Sequence, residues 1–511
     1  MHQAMNWQHG YRAEVPYVCG YFRELAPDWL DLAVLLKGQP SPRRKPGAPF
    51  RYLELGSGMG LNLCLQASLY PEGEFIGVDF NPDHIVHSQR LSEALELRNV
   101  SFVEADILGL ASQPGDLENS HHYVVAHGVA TWVKEPVREA LMQLAATAMR
   151  AGGFFYCSYN TLPGWLQSYP LRQLARAKAR RRGSSPDDSL NSLLEATETL
   201  KALIGPPFQP TPLAKQVPGL RNELIEIRNH APEYLIQEYM NDAWEPMAVD
   251  QMHELAASHK LRYVSSATLS DNFEDFLHVS VRDAVLSESD PEMRQTLQDL
   301  ATNKRFRRDI FCRGVAMLTS IEHSQQFRQL RVALKEIPQR KDCGYPTSFG
   351  VINFKADRCM TIEDALASGS QELGVLQDLH SLQGVDLAQA IVLLLEANRI
   401  GLDRGDASLQ AQNICQNVNR NLGAMQMAGR PYSYRVAASI GTAVTFSLAE
   451  SLIESVLQDD PQADPLPALT AGLDQFGLSI QRDPSDVLHS YLLRRPALQR
   501  MGVIEPGESL S

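Results

Sequence analysis

None of the seven cysteines in this 511-residue chain stands at a spacing that holds a metal or works as a redox pair, and their number is odd. That excludes a disulfide scaffold and a zinc module, so the thiols are expected to be reduced and packed. Surplus positive charge is also missing, because 47 Lys and Arg face 60 Asp and Glu, a formal charge of −13. Nucleic acid and anionic lipid take their first binding energy from clustered cations, so neither is an expected partner. No apolar run reaches the length of a membrane span, and windows such as AASIGTAVTFSLAESLIESVL are broken by polar residues. The opening MHQAMNWQHGYRAEV has neither the basic start nor the apolar stretch of a signal peptide, which sets the expectation of a cytoplasmic protein.

What is present is enough apolar residue, 44% of the chain, to fill two to four domains. Residues 21–37 have helical apolar spacing, and the Pro- and Gly-rich GQPSPRRKPGAP that follows reads as a linker. From residue 51 apolar strands (RYLEL, EFIGVDF, VSFVEAD, HHYVVAHGV, GGFFYCSYN) alternate with helical stretches, which predicts an α/β domain with a doubly wound, mostly parallel sheet over 51–166. Residues 1–50 form an arm and helix beside it. The character then turns to long helices broken at GSSPDD and GPPFQPTPLAKQVPG, with one strand candidate at LRYVSSATL, predicting a helical middle domain over 167–313. Residues 314–511 read as a mixed α+β region, compatible with a winged-helix-like fold that packs on protein rather than DNA.

The stretch YLELGSGMGLNLC carries an acid, Glu54, at the end of a strand, followed by Gly56, Gly58 and Gly60. Without Cβ atoms the backbone can turn sharply there and approach a ligand closely. The dinucleotide fingerprint would place its third glycine at position 61, where this chain has Leu61, so the spacing favours a nucleoside without a pyrophosphate. Asp79, at the end of the second strand in GVDFNPD, can accept both ribose hydroxyl protons, with Phe80 beside it. Asp106 after the third strand can take an adenine amino hydrogen while Ile107 packs near the base. An isolated Asp after a strand is more often a turn or helix cap; the ordered set outlines a bound adenosine.

That set is the pattern of class I S-adenosylmethionine (SAM)-dependent methyltransferases, a Rossmann-like fold. The segments WQHGYRAEVPYVCGYFRELAPDWLDLA, RYLELGSGMG, GVDFNPDHI, VEADIL, AHGVATWV and GGFFYCSYNTLPGW, with PEYLIQEYMND and LATNKRFRRDIFCR further on, resemble bacterial methyltransferases that carry a methyltransferase regulatory domain, including rickettsial lysine methyltransferases acting on outer-membrane protein. The resemblance implies SAM as cofactor, Glu54 near its amino acid end, Tyr11 and Tyr17 in an arm over the cofactor, and a homodimer as a reasonable assembly. The family commonly reads Tyr-Leu-x-His-Glu-Tyr in the regulatory segment, whereas here Gln237 precedes Glu238, a departure that bears on the acceptor.

Methyl transfer needs donor and acceptor aligned, with reacting atoms about 3–3.5 Å apart. A lysine acceptor must also lose a proton, since its ammonium, of ordinary pKa ~10.4, has no lone pair. Tyr159 and Asn160 offer a hydroxyl and an amide where such sheets open onto their ligand crevice, with Trp165 following. His127 falls near the cofactor, and Trp132 at the rim offers an aromatic face to an amine. The plainer readings are that Tyr159 to Trp165 form a buried turn and that His127 only stabilises a strand end. No metal is expected, and His84 and His87 read as a solvated helix face. The basic run Arg172–Arg182 reads as an exposed helix face, with recruitment of an acidic polypeptide a minor alternative. The leading expectation is a protein side-chain methyltransferase, most simply of lysine; the rivals are a small-molecule methyltransferase and a SAM-binding scaffold without turnover.

Overall fold

The computed structural model describes residues 15, 19–43, 45, 47–183, 185–314, 316–335, 344–353, 356–379, 384–476 and 483–505. Tyr11 and Tyr17 lie outside the described residues.

Seven strands build the central sheet: β1 (Phe50–Leu55), β2 (Gly73–Asp79), β3 (Val100–Glu104), β4 (His121–Ala126), β5 (Met149–Asn160), β6 (Arg262–Ser266) and β7 (Phe306–Cys312). Their order is β3-β2-β1-β4-β5-β7-β6. The first five run parallel, and β7 is antiparallel to both of its neighbours. Because the chain order reverses between β1 and β4, the carboxyl ends of those two strands part and leave a crevice.

Strand alternation sorts the core into two layers. Phe50, Tyr52, Tyr123, Val125, Phe154 and Tyr156 face the layer formed with α1 (Pro27–Leu35), α2 (Leu61–Leu69) and α3 (Pro82–Ala94). Leu53, Leu55, Val124, Ala126, Phe155 and Cys157 face the opposite layer, formed with α4 (Ile107–Ser112), α5 (Glu135–Ala148) and the helix Val249–Ser258. Both faces are covered, which is why these strands read as almost continuous apolar runs.

Residues 167–313 hold the expected long helices and a strand at LRYVSSATL, and their two strands join the central sheet. Helices α6 (Tyr169–Arg182) and α7 (Pro186–Ile204) do pair beside the sheet over a core of their own, but the chain then returns to the sheet as β6 and β7. Hydrophobic pattern alone could not reveal this, because about 145 residues, mostly helical and including β6, separate β5 from its partner β7. The pairing is reinforced by a buried ionic cluster. Asp309 of β7 accepts from Arg307 Nε (3.0 Å to each oxygen), from the Tyr159 hydroxyl (2.6 Å) and lies 3.1 Å from His253 Nε2, while Arg307 also reaches Asp299 (2.6 Å). Burial works against its charge, but Arg307 and His253 together outweigh it and hold the Asp309 carboxyl well below its ordinary range.

The C-terminal region clasps the first layer. It contains a three-stranded sheet of Arg331–Leu334, Gln371–Glu372 and Ile400–Asp403, a hairpin of Tyr434–Ala437 and Thr442–Thr445, and the long helix Asp406–Met427. Arg404 pairs with Asp28 of α1 (3.1 Å) and with Glu72, and Cys415 donates to the carbonyl of Ser68.

Replacing Asp309 by Asn leaves Arg307 short of its main counter-ion in a dry site. Loss of about 3–5 kcal/mol of unfolding free energy in a urea titration is expected; a change below ~1 kcal/mol would show that the cluster does not hold β7 in place.

Candidate active site

The glycine loop closes the carboxyl end of β1. All three of its glycines have positive φ: +78° at Gly56, +54° at Gly58 and +74° at Gly60. A Cβ on Gly56 would stand 2.5 Å from Val129 and one on Gly60 2.4 Å from the Ser88 hydroxyl, while one on Gly58 would meet nothing within 4 Å. Gly60 is therefore needed for packing against α3, and Gly56 and Gly58 leave backbone open to the crevice. The N–H groups of Gly56 and Ser57 donate to the Val78 carbonyl (2.8 and 3.0 Å). One residue on, Asp79 accepts from the N–H of Gly58 (2.9 Å) and of Asn81 (2.9 Å). The same carboxylate thus folds the loop and faces the crevice.

That crevice has a volume of about 950 Å³, counted to its open mouth. Val78, Phe80, Ala105, Ile107, Val129 and Trp132 give it apolar walls, with Asp79, His84 and Asp106 as polar points and Gly56 and Gly58 as floor. Asp106 also caps α4, accepting from Leu108 N–H (3.2 Å). His84 departs from the expected solvated helix face: it is only 4% exposed, its Nδ1 lies 3.2 Å from Asp79 and its Nε2 has no partner. Being bonded to a carboxylate, Nδ1 carries the proton. His87, too, is engaged, between the Met59 carbonyl (2.8 Å) and the Tyr432 hydroxyl (2.9 Å). The Asn81-Pro82 turn that starts α3 and aims His84 at Asp79 was the sequence signal for it.

Where the loop enters α2, buried polar atoms gather that have no hydrogen-bond partner among the described residues: Glu54 Oε2, Ser57 Oγ and Asn62 Nδ2. Glu54 is 4% exposed, and burial, reinforced by Asp79 and opposed by Asn62, pushes its carboxyl up to about 8. Each such orphan costs about 1–3 kcal/mol. A ligand bringing a cation and hydrogen-bonding groups to this corner, and an apolar ring system to the crevice, would relieve that cost, which is the profile of SAM.

Over this corner runs the N-terminal segment. The Phe22 N–H donates to Asn62 Oδ1 (3.1 Å), and the Phe22 ring sits 4.1 Å from that of His127. His127 lines the crevice, with Nδ1 2.9 Å from the Tyr156 hydroxyl and 3.1 Å from Ser158 Oγ. Burial, helped by Arg308, pushes it down to about 3, so its imidazole is neutral.

The residues expected around the acceptor separate. Trp132 lines the crevice. Asn160 lies just behind that wall: its N–H donates to Thr131 Oγ1 (2.8 Å) and its side-chain amide to Glu238 Oε2 (3.2 Å). Tyr159 points the other way, into the opposite core layer and onto Asp309, as alternation along β5 requires. Trp165 packs in the helical core with Arg305 stacked 3.8 Å over its ring. Gln237, the departure from the family pattern, is fully buried and its amide donates to the Val15 carbonyl (2.9 Å), so it fastens the N-terminal arm. The basic helix α6 spends its charges on neighbours, as Arg176 on Asp242 and Arg182 on Glu195.

Residues 48–188 match the family model of a methyltransferase domain, and residues 231–313 match that of the predicted methyltransferase regulatory domain. The second match runs from the helix Pro232–Met240 to the end of β7, so the regulatory segment completes the catalytic sheet. An uncharacterized protein of Synechocystis is 29% identical over 470 residues, 90% of each chain; one from Rickettsia prowazekii is 26% identical over 342 residues, 64% of this chain and 57% of that one. The structure of PKMT2 from Rickettsia typhi in complex with AdoHcy superposes with a TM-score of 0.68 at 18% identity, covering 96% of this chain and 99% of that one, a likeness of fold.

In the unfolded chain Glu54 has an ordinary carboxyl, whereas in the fold it holds its proton up to about 8. The native state therefore binds more protons between those limits, and this group's contribution to stability is complete below its unfolded pKa and lost as pH rises through the folded one. Glu54→Gln is expected to raise the melting temperature at pH 8 and to flatten its fall between pH 5 and 8; an unchanged slope in thermal melts would contradict the burial of an unpaired acid here.

The strand order, the glycine loop and its acids, and both domain matches agree on a class I SAM-dependent methyltransferase domain over residues 48–188, joined to a methyltransferase regulatory segment over residues 231–313.

Proposed function

We propose that the protein methylates a polypeptide side chain, a lysine amine, with SAM as donor. The observation that carries this reading is the pairing of Asn160 with the buried carboxylate of Glu238 behind the Trp132–Val133 wall of the crevice, which gives the acceptor side a group suited to an ammonium. An oxygen or carbon acceptor carries no such charge. The likeness in fold to PKMT2 and the resemblance of the regulatory segment to that of lysine methyltransferases support the same reading.

In this reading Asp79 accepts from the ribose, Asp106 and Ile107 meet the adenine, and Glu54 with Asn62 holds the amino acid end. His84 steadies Asp79 from the α3 side. SAM supplies an electrophilic methyl group when bound; the protein's own work is to orient it, to exclude water and to present a neutral amine. His127, neutral and fixed by Tyr156 and Ser158, has its proton on one nitrogen only and serves as a rigid wall between donor and acceptor sides.

The test is to incubate the protein with methyl-labelled SAM and a cell extract divided into polypeptide and low-mass fractions. Label in polypeptide, recovered as methyllysine after hydrolysis, is expected. Label confined to the low-mass fraction would point to a small-molecule acceptor, and tight SAM binding with no label to a scaffold. Asp79→Ala should weaken SAM binding about 10- to 150-fold by calorimetry, from ~1.5–3 kcal/mol of charge-assisted hydrogen bonding. Unchanged affinity would remove Asp79 from the cofactor site.

A further inference from the structure

Two carboxylates of the regulatory segment and its approach, Glu223 and Glu238, are both buried between the helices and the sheet, and their surroundings differ. Glu223 is saturated. Arg305 grips it with both terminal nitrogens (2.6 and 2.8 Å), Ser168 donates to it at 2.9 Å and the Tyr239 hydroxyl donates as well. Burial opposes its charge, but Arg305 and these donors outweigh that and hold its carboxyl below the ordinary value. It is a structural acid.

Glu238 is 8% exposed, and among the described residues no Lys, Arg or His nitrogen lies within 4.0 Å of it. Among the described residues it accepts from the neutral amide of Asn160 (3.2 Å), with the indole of Trp244 as a weaker second donor. The two guanidinium groups closest to it are committed elsewhere: Arg172 to the carbonyls of Tyr239 and Asn241, stacked 4.3 Å over Trp244, and Arg305 to Glu223. The remaining titratable neighbour is Tyr234, one helical turn back. Burial pushes Glu238 up to about 7, with Asn160, Arg305, Trp244 and Arg172 opposing only in part. A buried carboxylate without a cation is costly and uncommon unless a ligand brings the charge or the proton is used.

Its position is also specific. Glu238 bonds the side chain of Asn160, whose own N–H bonds Thr131, the residue before Trp132 in the crevice wall. The carboxylate is thus two hydrogen bonds from the donor side and on the same edge of the sheet.

We propose that Glu238 receives the acceptor ammonium and takes one of its protons, with Asn160 holding the carboxylate in position. This rests on the amine-methylating reading above. The step is a simple acid–base exchange: the ammonium N–H bond breaks, its electron pair stays on nitrogen, and the proton joins a Glu238 oxygen. The neutral amine then has the lone pair that attack requires, and the Glu238 proton passes to solvent after transfer. Gln237, the neighbour at which this chain departs from its family, faces the N-terminal arm instead, so the proton-accepting role falls on the acid and not on the residue before it.

The experiment compares initial rates of label transfer from methyl-labelled SAM to the polypeptide fraction of a cell extract, between pH 5.5 and 9, for the wild-type protein, Glu238→Gln and Glu238→Asp. Wild-type activity should rise as pH passes about 7, because the ionised form is the acceptor of the proton. Glu238→Gln should lose that rise and about 10²- to 10³-fold in kcat, with SAM affinity within threefold of wild type and a melting temperature equal or higher at pH 8.5. Glu238→Asp should keep the rise at a reduced rate. A Glu238→Gln rate within threefold of wild type with the same pH profile, or a loss of SAM affinity matching the loss of rate, overturns the proposal. If wild-type label appears only in low-mass amines, the polypeptide reading fails, and the same three-way comparison on that fraction still decides the role of Glu238.

Discussion

Everything at the catalytic edge depends on the double grip of Asp79 on the backbone. Its two oxygens take the N–H groups of Gly58 and Asn81, tying the loop after β1 to the turn after β2 across the gap between strands. A carboxylate bonded to backbone N–H groups keeps its charge and its direction. That gives the crevice a rigid floor, with His84 Nδ1 against the same carboxylate and a fixed acid in its wall. Without this tie Gly58, where a Cβ would meet nothing within 4 Å, would lose the contact that holds its left-handed conformation.

The two acids with unmet needs, Glu54 and Glu238, flank this floor and divide the labour. Both are buried, and both hold protons that exposed carboxyls would give up. One lies under the glycine loop and one behind the Trp132–Val133 wall, and in the proposed function each awaits an amine, the donor's at Glu54 and the acceptor's at Glu238. Between them His127 is neutral, and the acids of the crevice itself, Asp79 and Asp106, lie along its floor and wall. The regulatory segment takes part directly: it brings Glu238 on one helix and closes the sheet with β6 and β7, so its folding and the completion of the acceptor side are one event.

Much of this was legible in the sequence. The alternation of apolar strands and helices through residue 160, the glycine loop behind Glu54, and Asp79 and Asp106 at strand ends all follow local rules, because each depends on neighbours within a few residues. Tyr159 shows where local reading stops short: counting by twos from Phe155 and Cys157 places it in the far core layer, but its partner Asp309 is 150 residues away. The return of β6 and β7 to the sheet, the use of Gln237 to fasten Val15, and the placing of Trp165 under Arg305 are contacts between distant segments with no periodic signature. His84 was misread for a related reason, since helical spacing shows which residues share a face but not whether a carboxylate waits opposite.

The most direct measurement is a crystal structure of the protein with S-adenosylhomocysteine. The account predicts the nucleoside between Val78 and Ile107 with its ribose on Asp79, and the amino group within hydrogen-bonding reach of Glu54. Ligand bound elsewhere, or density in this crevice with Glu54 still unpartnered, would contradict it.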